Sequence, residues 1–339
     1  MTKKICISGY YGFNNFGDET ILKVLIENLK KFKNTPQITV FSSNPNKTSK
    51  IHNVTSVGSF NISSVIKELY NCDCLISGGG SLLQDVTSSK SLIYYIGIIA
   101  LAQIFQKEVI IFAQGIGPIN NKILKKITKF MLKKAKYITV RDTNSLNLLK
   151  QWGINAILCN DPVWNITINS KKQNNKIGIQ LRSFPTITEE FLIKLAFCIN
   201  KFYQDKEINI LSLQNKLDLE ICKKLQKHIN AINHNIDVKV IENISNENII
   251  ENISQMESLI AMRYHACLIG IKSGAKVLPI NYDIKVETLS KDFNLKYINI
   301  QSFDEMLEIF ENFKNSTQAY NKEQIESLKF NFNELENNL

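Results

Sequence analysis

Short runs rich in β-branched residues alternate with longer amphipathic segments along this chain. In the first half the runs are Ile5–Ser8, Ile38–Ser42, Cys74–Ser77, Val109–Ala113, Tyr137–Arg141 and Ala156–Cys159. Between the first two, Ile21, Leu22, Leu25, Leu29 and Phe32 fall on one helical face. Asp18 stands where an N-cap would, and Glu19 follows in the positive first turn. A polar stretch, Asn165 to Lys176, breaks the pattern and reads as a linker. Alternation then resumes with strands Ile177–Leu181, Ile208–Leu213, Val238–Ile241, Leu259–Met262 and Val277–Asn281, and with helices Glu189–Phe202 and Leu217–Ile229. Helical segments near Glu305–Phe313 and Lys322–Asn333 finish the chain.

Strand-helix alternation predicts parallel sheets wrapped by helices. The expected fold class is α/β, with two Rossmann-like domains whose parallel sheets face each other across a cleft, a GT-B-like plan. The expected divisions are 1–168 for the N-terminal domain, 176–302 for the C-terminal domain, and 303–339 for terminal helices able to pack back on the N-terminal domain. Open parallel sheets bind ligands at the carboxyl ends of their strands, so functional residues are sought there.

Composition narrows the partners. Lys and Arg total 41 against 31 Asp and Glu, a formal net charge of +10. That favours anionic partners: phosphorylated metabolites, lipid diphosphates, anionic membrane surfaces or nucleic acid. The basic residues are dispersed and not interleaved with aromatics in one patch, which argues against nucleic acid. Seven cysteines lie scattered without framework spacing, as expected for reduced thiols in a cytoplasmic protein. Met-Thr-Lys-Lys leads straight into a strand, so no signal peptide is expected. Leu92–Phe105 is apolar but too short to span a bilayer.

Four clusters sit where strands end. The loop "GYYGFNNFGDE", Gly9 to Glu19, spaces its glycines G-x2-G-x4-G, unlike the dinucleotide fingerprint G-x-G-x-x-G. "SGGGSLLQD", Ser77 to Asp85, has three consecutive glycines that packing hardly explains and that suit an anion nest or a sugar site. "AQGIGP", Ala113 to Pro118, brings Gln114, and "VRD" brings Arg141, suited to a carboxylate or phosphate or else to a pair with Asp142. "AMRYHACLIG" and "INYDIKVE" place Arg263, His265, Asp283 and Lys285 at adjacent strand ends, where Arg263, His265 and Lys285 form a cationic group fit for a small polyanion. His265 is the general-acid candidate. No metal constellation and no G-x-S-x-G nucleophile elbow occur.

Taken in order, "SGYYGFNNFGDETIL", "SGGGSLLQDVTSSKSLIYY", "FAQGIGP", "VRD", "NDPVW", "MRYH" and "YDIKV" resemble the polysaccharide pyruvyl transferases, closest to the CsaB type. The resemblance covers nearly the whole chain. It implies a metal-independent transferase without a cofactor, which moves the enolpyruvyl unit of phosphoenolpyruvate onto a sugar as a 4,6-ketal. N-acetylmannosamine of a lipid-diphosphate-linked cell-wall precursor, used in anchoring S-layer proteins, is the implied acceptor. The family's donor site would fall on Arg141, Arg263, His265 and Lys285. Tyr264 and Ile284 depart from the family forms "MRLH" and "YDPKV", and neither removes a charge. With the cations elsewhere, the opening loop goes to the acceptor. Tyr10, Tyr11 or Phe13 would stack on a sugar, Asn14, Gly79, Gly80, Gln84 and Gln114 would line its site, and Asp18 would be base or cap. The expected location is cytoplasmic, with peripheral contact at the membrane face compatible with a lipid-linked acceptor. The competing readings are a nucleotide-sugar glycosyltransferase of the same architecture and a non-catalytic nucleic-acid-binding module.

Overall fold

The structure is a computed structural model, and it describes residues 2–86, 88–169 and 175–339. Of the expected linker, residues 170–174 lie outside the described residues. The chain divides into two compact units, Met1–Ile166 with Leu328–Leu339, and Thr167–Ser327.

The first unit holds strands β1 (Lys4–Ser8), β2 (Gln37–Ser42), β3 (Thr55–Gly58), β4 (Cys74–Ser77), β5 (Gly80–Leu83), β6 (Glu108–Ile116), β7 (Tyr137–Val140) and β8 (Ile157–Leu158). Their order is β3-β2-β1-β4-β6-β7-β8, with β5 paired to β6, and every pairing is parallel. The second unit holds β9 (Lys176–Gln180), β10 (Glu207–Leu211), β11 (Val238–Ile241), β12 (Ser258–Ala261), β13 (Lys276–Asn281) and β14 (Ile298–Asn299). These run β11-β10-β9-β12-β13-β14, again parallel. Central strands such as Ile5–Ser8, Cys74–Ser77 and Ser258–Ala261 are buried throughout, as expected of parallel strands covered on both faces.

Both sheets reverse their winding once. In the first, chain order runs outward from β1 through β2 to β3 and returns to β4 on the other side of β1. In the second it runs from β9 to β11 and returns to β12 beside β9. Such switch points splay the connecting loops apart and leave a crevice at the strand carboxyl ends. Ser8 with Ser77 marks the first crevice and Gln180 with Ala261 the second.

Several elements differ from expectation. Strand β3 escapes the pattern because Thr55-Ser56-Val57-Gly58 reads as a turn. Strand β5 arises inside the glycine run, which therefore joins strand to strand, with the next helix beginning only at Ser89. Helix Asn246–Ser254 was not expected from the sequence. The segment Lys322–Asn333 is two helices, Lys322–Ser327 and Phe332–Asn338, and the break coincides with the division between units. Residues 303–327 thus go with the second unit, where Met306, Phe310 and Phe313 are buried in a core with Phe202, Tyr203 and Ile298. Only 328–339 belong to the first, where Phe330 and Phe332 pack on Phe112 with ring centroids 4.9 and 5.9 Å apart.

Candidate functional site

In the first unit the opening loop leaves β1 and clamps onto the end of β2. Ser43 N–H donates to Tyr11 O at 2.9 Å, and Gly12 N–H donates to the Glu19 carboxylate at 2.7 Å. Gly12 has φ +82°, and a Cβ there would meet Ser42 Oγ at 2.3 Å, so only glycine fits. The helix that follows, Phe16–Leu29, is capped by Asn15, whose side chain accepts from Gly17 N–H at 3.2 Å. This corrects the expectation that Asp18 stands at the cap position. Asp18 lies inside the first turn, where the amino-terminal dipole favours its charge.

Tyr11 also departs from expectation. It is fully buried, so it has no face to offer a sugar. Its ring occupies the space above two glycines: a Cβ on Gly9 would come within 2.3 Å of it, and one on Gly78 within 1.9 Å of its hydroxyl. Gly79 in turn makes room for Ile21 Cγ2, 2.8 Å from the missing Cβ. Packing therefore accounts for two glycines of the triple run, contrary to the nest reading. Gly80 is different. With φ +98°, its bare Cα lies under the Asp18 carboxylate, 2.6 Å from where a Cβ would sit. Burial, with the negative Asp18 nearby, pushes up the Tyr10, Tyr11 and Tyr95 phenols, placing that carboxylate in a phenol-lined setting.

The aromatic surface is made instead by Tyr10 and Phe13, stacked at 4.2 Å and 5° between planes, with Phe60 edge-on to Phe13 at 6.4 Å. Asn14, at φ +58°, accepts from Lys47 Nζ at 2.6 Å. Gln114 is buried: its amide donates to Ser77 Oγ at 2.8 Å and Gly78 O at 2.7 Å, pinning the glycine run. It supports the site from beneath and does not line it. Gln84 closes a turn by accepting from Val86 N–H at 2.7 Å.

Arg141 directly follows β7 and pairs with Asp161 of the "NDPVW" segment at 2.8 Å, with a longer contact to Ser81 Oγ at 3.3 Å. The alternative partner, Asp142, instead caps helix Thr143–Gln151 by accepting from Ser145 N–H. In this pair Asp161 is 1% exposed and Arg141 10%.

In the second unit Arg182 and Arg263 stand just past the carboxyl ends of β9 and β12. Arg263 opens helix Tyr264–Ser273. Its backbone N–H donates to Gln180 Oε1 at 2.8 Å, and its guanidinium grips the fully buried Asp218 carboxylate at 2.8 and 3.0 Å, with Gln214 Oε1 at 3.3 Å. Burial pushes the Asp218 carboxyl above its usual range, against the opposing pull of Arg263 and Arg182. Arg182 also stands near the Tyr282 phenol, where its charge pulls against the upward push of burial and of Asp283. Arg182, Asp218 and Tyr282 thus join Arg263 in one network that the sequence reading missed. Arg182 had a legible signal, since it directly follows the predicted strand Ile177–Leu181 at the switch point. Asp218, inside a helix, had none.

His265 is the second residue of helix Tyr264–Ser273 and lies half-buried, edge-on to Tyr264 at 5.1 Å. Lys285 is exposed in the first turn of helix Ile284–Asp292, which Asp283 caps by accepting from Lys285 and Val286 N–H, each at 3.0 Å. Two helix amino termini and two arginines thus converge on the carboxyl edge of β9, β12 and β13, an arrangement suited to a compact anion. Among the described residues, no group of three or more His, Cys, Asp or Glu side chains is placed to hold a metal ion. Nor is any helix there long and apolar enough to cross a membrane.

Two parallel-sheet units of this topology make a GT-B-like protein, and solved structures agree. UDP-GlcNAc 2-epimerase from Methanocaldococcus jannaschii is similar over 95% of each chain, with 12% identity and a TM-score of 0.67. The Neisseria meningitidis UDP-GlcNAc 2-epimerase bound to UDP-GlcNAc, at 12% identity, matches over 98% of this chain and 95% of its own with a TM-score of 0.63. HepE from Anabaena in complex with UDP-glucose, at 12% identity, matches over 98% and 97% with a TM-score of 0.63. At such identity the likeness concerns the fold. None of the curated proteins matches the chain in sequence. The family model described as polysaccharide pyruvyl transferase matches residues 15–284, and the chain belongs to that family.

Proposed function

We propose that this transferase takes phosphoenolpyruvate as donor and forms a 4,6-ketal on a sugar of a lipid-diphosphate-linked cell-wall polysaccharide precursor, releasing phosphate. The observation that carries the proposal is the cationic edge of the second unit. Phosphoenolpyruvate is a small anion with a phosphate and a carboxylate, and that edge offers Arg182 and Arg263 beside the amino termini bearing His265 and Lys285.

In the proposed reaction His265 gives a proton to the methylene carbon, turning it into a methyl group and leaving an oxocarbenium-like centre at the neighbouring carbon. A sugar hydroxyl attacks that carbon and passes its proton to Asp18. The carbon–oxygen bond to phosphate then breaks, and the second hydroxyl closes the ketal as its proton leaves with phosphate. Arginine contacts to the carboxylate fix the reacting carbon. The first unit takes the sugar, with Tyr10 and Phe13 as a stacking plate. N-acetylmannosamine, as in the CsaB type, is the proposed acceptor, on the strength of the motif resemblance. No cofactor enters this scheme, and a cytoplasmic location follows from the donor.

The rival is a nucleotide-sugar glycosyltransferase. It calls for an acid on the ribose at a strand end of the second unit. The sequence offers Glu242 and Glu287, and both are engaged with surface lysines, Lys223 at 3.9 Å and Lys291 at 2.5 Å. Phosphate release measured with phosphoenolpyruvate and a panel of lipid-diphosphate disaccharides, with mass spectrometry of the product, tests the proposal. A pyruvyl mass gain on one acceptor is expected. Stabilisation by a UDP-sugar with no response to phosphoenolpyruvate would overturn it.

A further inference from the structure

Three helices of the first unit pack side by side: Ile62–Asn71 against Ser89–Ile104, and that against Lys122–Leu132. Each satisfies the core with one face. Val65 and Leu69, Leu92 and Ile99, and Thr128 and Leu132 are buried. Each also carries a second apolar line pointing the other way. On the first helix it is Ile62, Ile66 and Tyr70, exposed to 70%, 37% and 64%. On the second, Ile93 and Ile104 stand out at 55% and 70%, with the small Gly97 and Ala100 between them at helical spacing. On the third, Ile123, Ile127 and Phe130 are 69%, 39% and 52% exposed at positions i, i+4 and i+7. Side chains of this size, exposed in register on three adjacent helices, make one broad apolar face, far beyond the scattered exposure of an ordinary surface.

The charge on the second and third helices has one sign, while the first carries Lys67 and Glu68. No Asp or Glu occurs from Ser88 to Lys107 or from Asn120 to Lys136, while the third helix and its end carry Lys122, Lys125, Lys126, Lys129, Lys133 and Lys134. Two of the exposed rings have a lysine drawn over them: Lys134 Nζ lies 4.3 Å from the Phe130 centroid, and Lys107 Nζ 5.8 Å from that of Tyr70. Apolar side chains flanked by lysines, with aromatic rings among them, match the boundary of an anionic bilayer, where rings and aliphatic chains enter the acyl edge and ammonium groups meet phosphates.

We propose that the outer face of helices Ile62–Asn71, Ser89–Ile104 and Lys122–Leu132 docks the protein on an anionic phospholipid membrane. Apolar burial and lysine–phosphate attraction act together, so each alone gives weak binding. The inference stands apart from the proposed reaction, because vesicle binding is read without substrate.

Cosedimentation of the full chain with vesicles of phosphatidylglycerol and phosphatidylcholine, and with phosphatidylcholine alone, tests it. Binding is expected only with the anionic lipid, weakening as salt is raised. Ile104→Ser combined with Phe130→Ser should lower the partition coefficient about tenfold or more while leaving the melting temperature unchanged, since both side chains are exposed. Lys126→Glu combined with Lys133→Glu, which leaves the apolar residues in place, should do the same. Unchanged binding of the Ile104→Ser/Phe130→Ser protein, or no binding to anionic vesicles, overturns the proposal. So does a dimer, abolished by the same pair of substitutions, that forms in place of lipid binding; the face would then cover a second copy of this chain.

Discussion

The carboxylate of Asp18 rests on Gly80: a Cβ on that glycine would lie 2.6 Å from Asp18 Oδ1, and the φ of +98° there is one that other residues rarely adopt. Gly80→Ala is therefore expected to cost about 1–2 kcal/mol in backbone strain alone, and to displace Asp18 as well. Phosphate release should fall further than the melting temperature would suggest. Full turnover in a folded Gly80→Ala protein would remove Asp18 from the proposed chemistry.

Because Asn15 caps the helix and Asp18 does not, stability and catalysis can be separated there. Asn15→Ala should lose about 1 kcal/mol in chemical denaturation. Asp18→Asn keeps the shape of the side chain and should lose little stability, yet turnover should drop on the order of a hundredfold or more if the carboxylate takes the hydroxyl proton.

Arg182 gives a test of the donor edge that does not depend on the motifs. Arg182→Ala should weaken phosphoenolpyruvate binding about tenfold or more by calorimetry, as expected for losing a charge-assisted contact to an anion. Arg263→Lys should also weaken it. Lysine cannot hold Asp218 with a planar fork and present a second edge to the ligand. Donor affinity unchanged in both variants would move the site elsewhere.

Arg141 and Asp161 are nearly excluded from water as a pair. Asp161→Ala takes the carboxylate away from a nearly buried guanidinium and should cost roughly 3 kcal/mol in urea unfolding. A loss below about 0.5 kcal/mol would mean the pair is open to water.

Tyr11 offers the opposite case. Its hydroxyl is buried without a hydrogen-bond partner among the described residues, so Tyr11→Phe removes an unsatisfied group and keeps the ring over Gly9 and Gly78. Stability should stay equal or rise by up to about 1 kcal/mol. A clear loss would show that the hydroxyl has a partner after all.

The sequence carried the architecture because parallel strands buried on both faces are written as continuous apolar runs. Ile5–Ser8 and Cys74–Ser77 could be read to within a residue. What it concealed was pairing between distant positions. Nothing local tells whether Gly78 serves a ligand or the ring of Tyr11, or that Arg141 turns to Asp161 and away from its neighbour Asp142. The positions of His265 and Lys285 at helix starts just past strand ends were legible through their motifs. Arg182 was legible by position, once the first strand of the second unit is recognised as lying at the switch. Asp218 could be found only in three dimensions, because its spacing within the helix Asn215–Ile232 resembles that of any surface acid.

The first unit is not a continuous stretch of chain. Phe112 is shielded by Phe330 and Phe332, and Asn165 exchanges two hydrogen bonds with the backbone of Phe330, at 3.0 and 2.7 Å. Tyr137 reaches Glu334 at 3.1 Å and Glu336 accepts from Lys33 N–H at 2.7 Å. During synthesis the first of the two units thus waits for residues 328–339, with the whole second unit emerging in between. A chain interrupted before Leu328 leaves an aromatic ring uncovered on an otherwise finished sheet. The order of translation and the order of completion are reversed for this unit, and quality control can read the difference as exposed apolar surface.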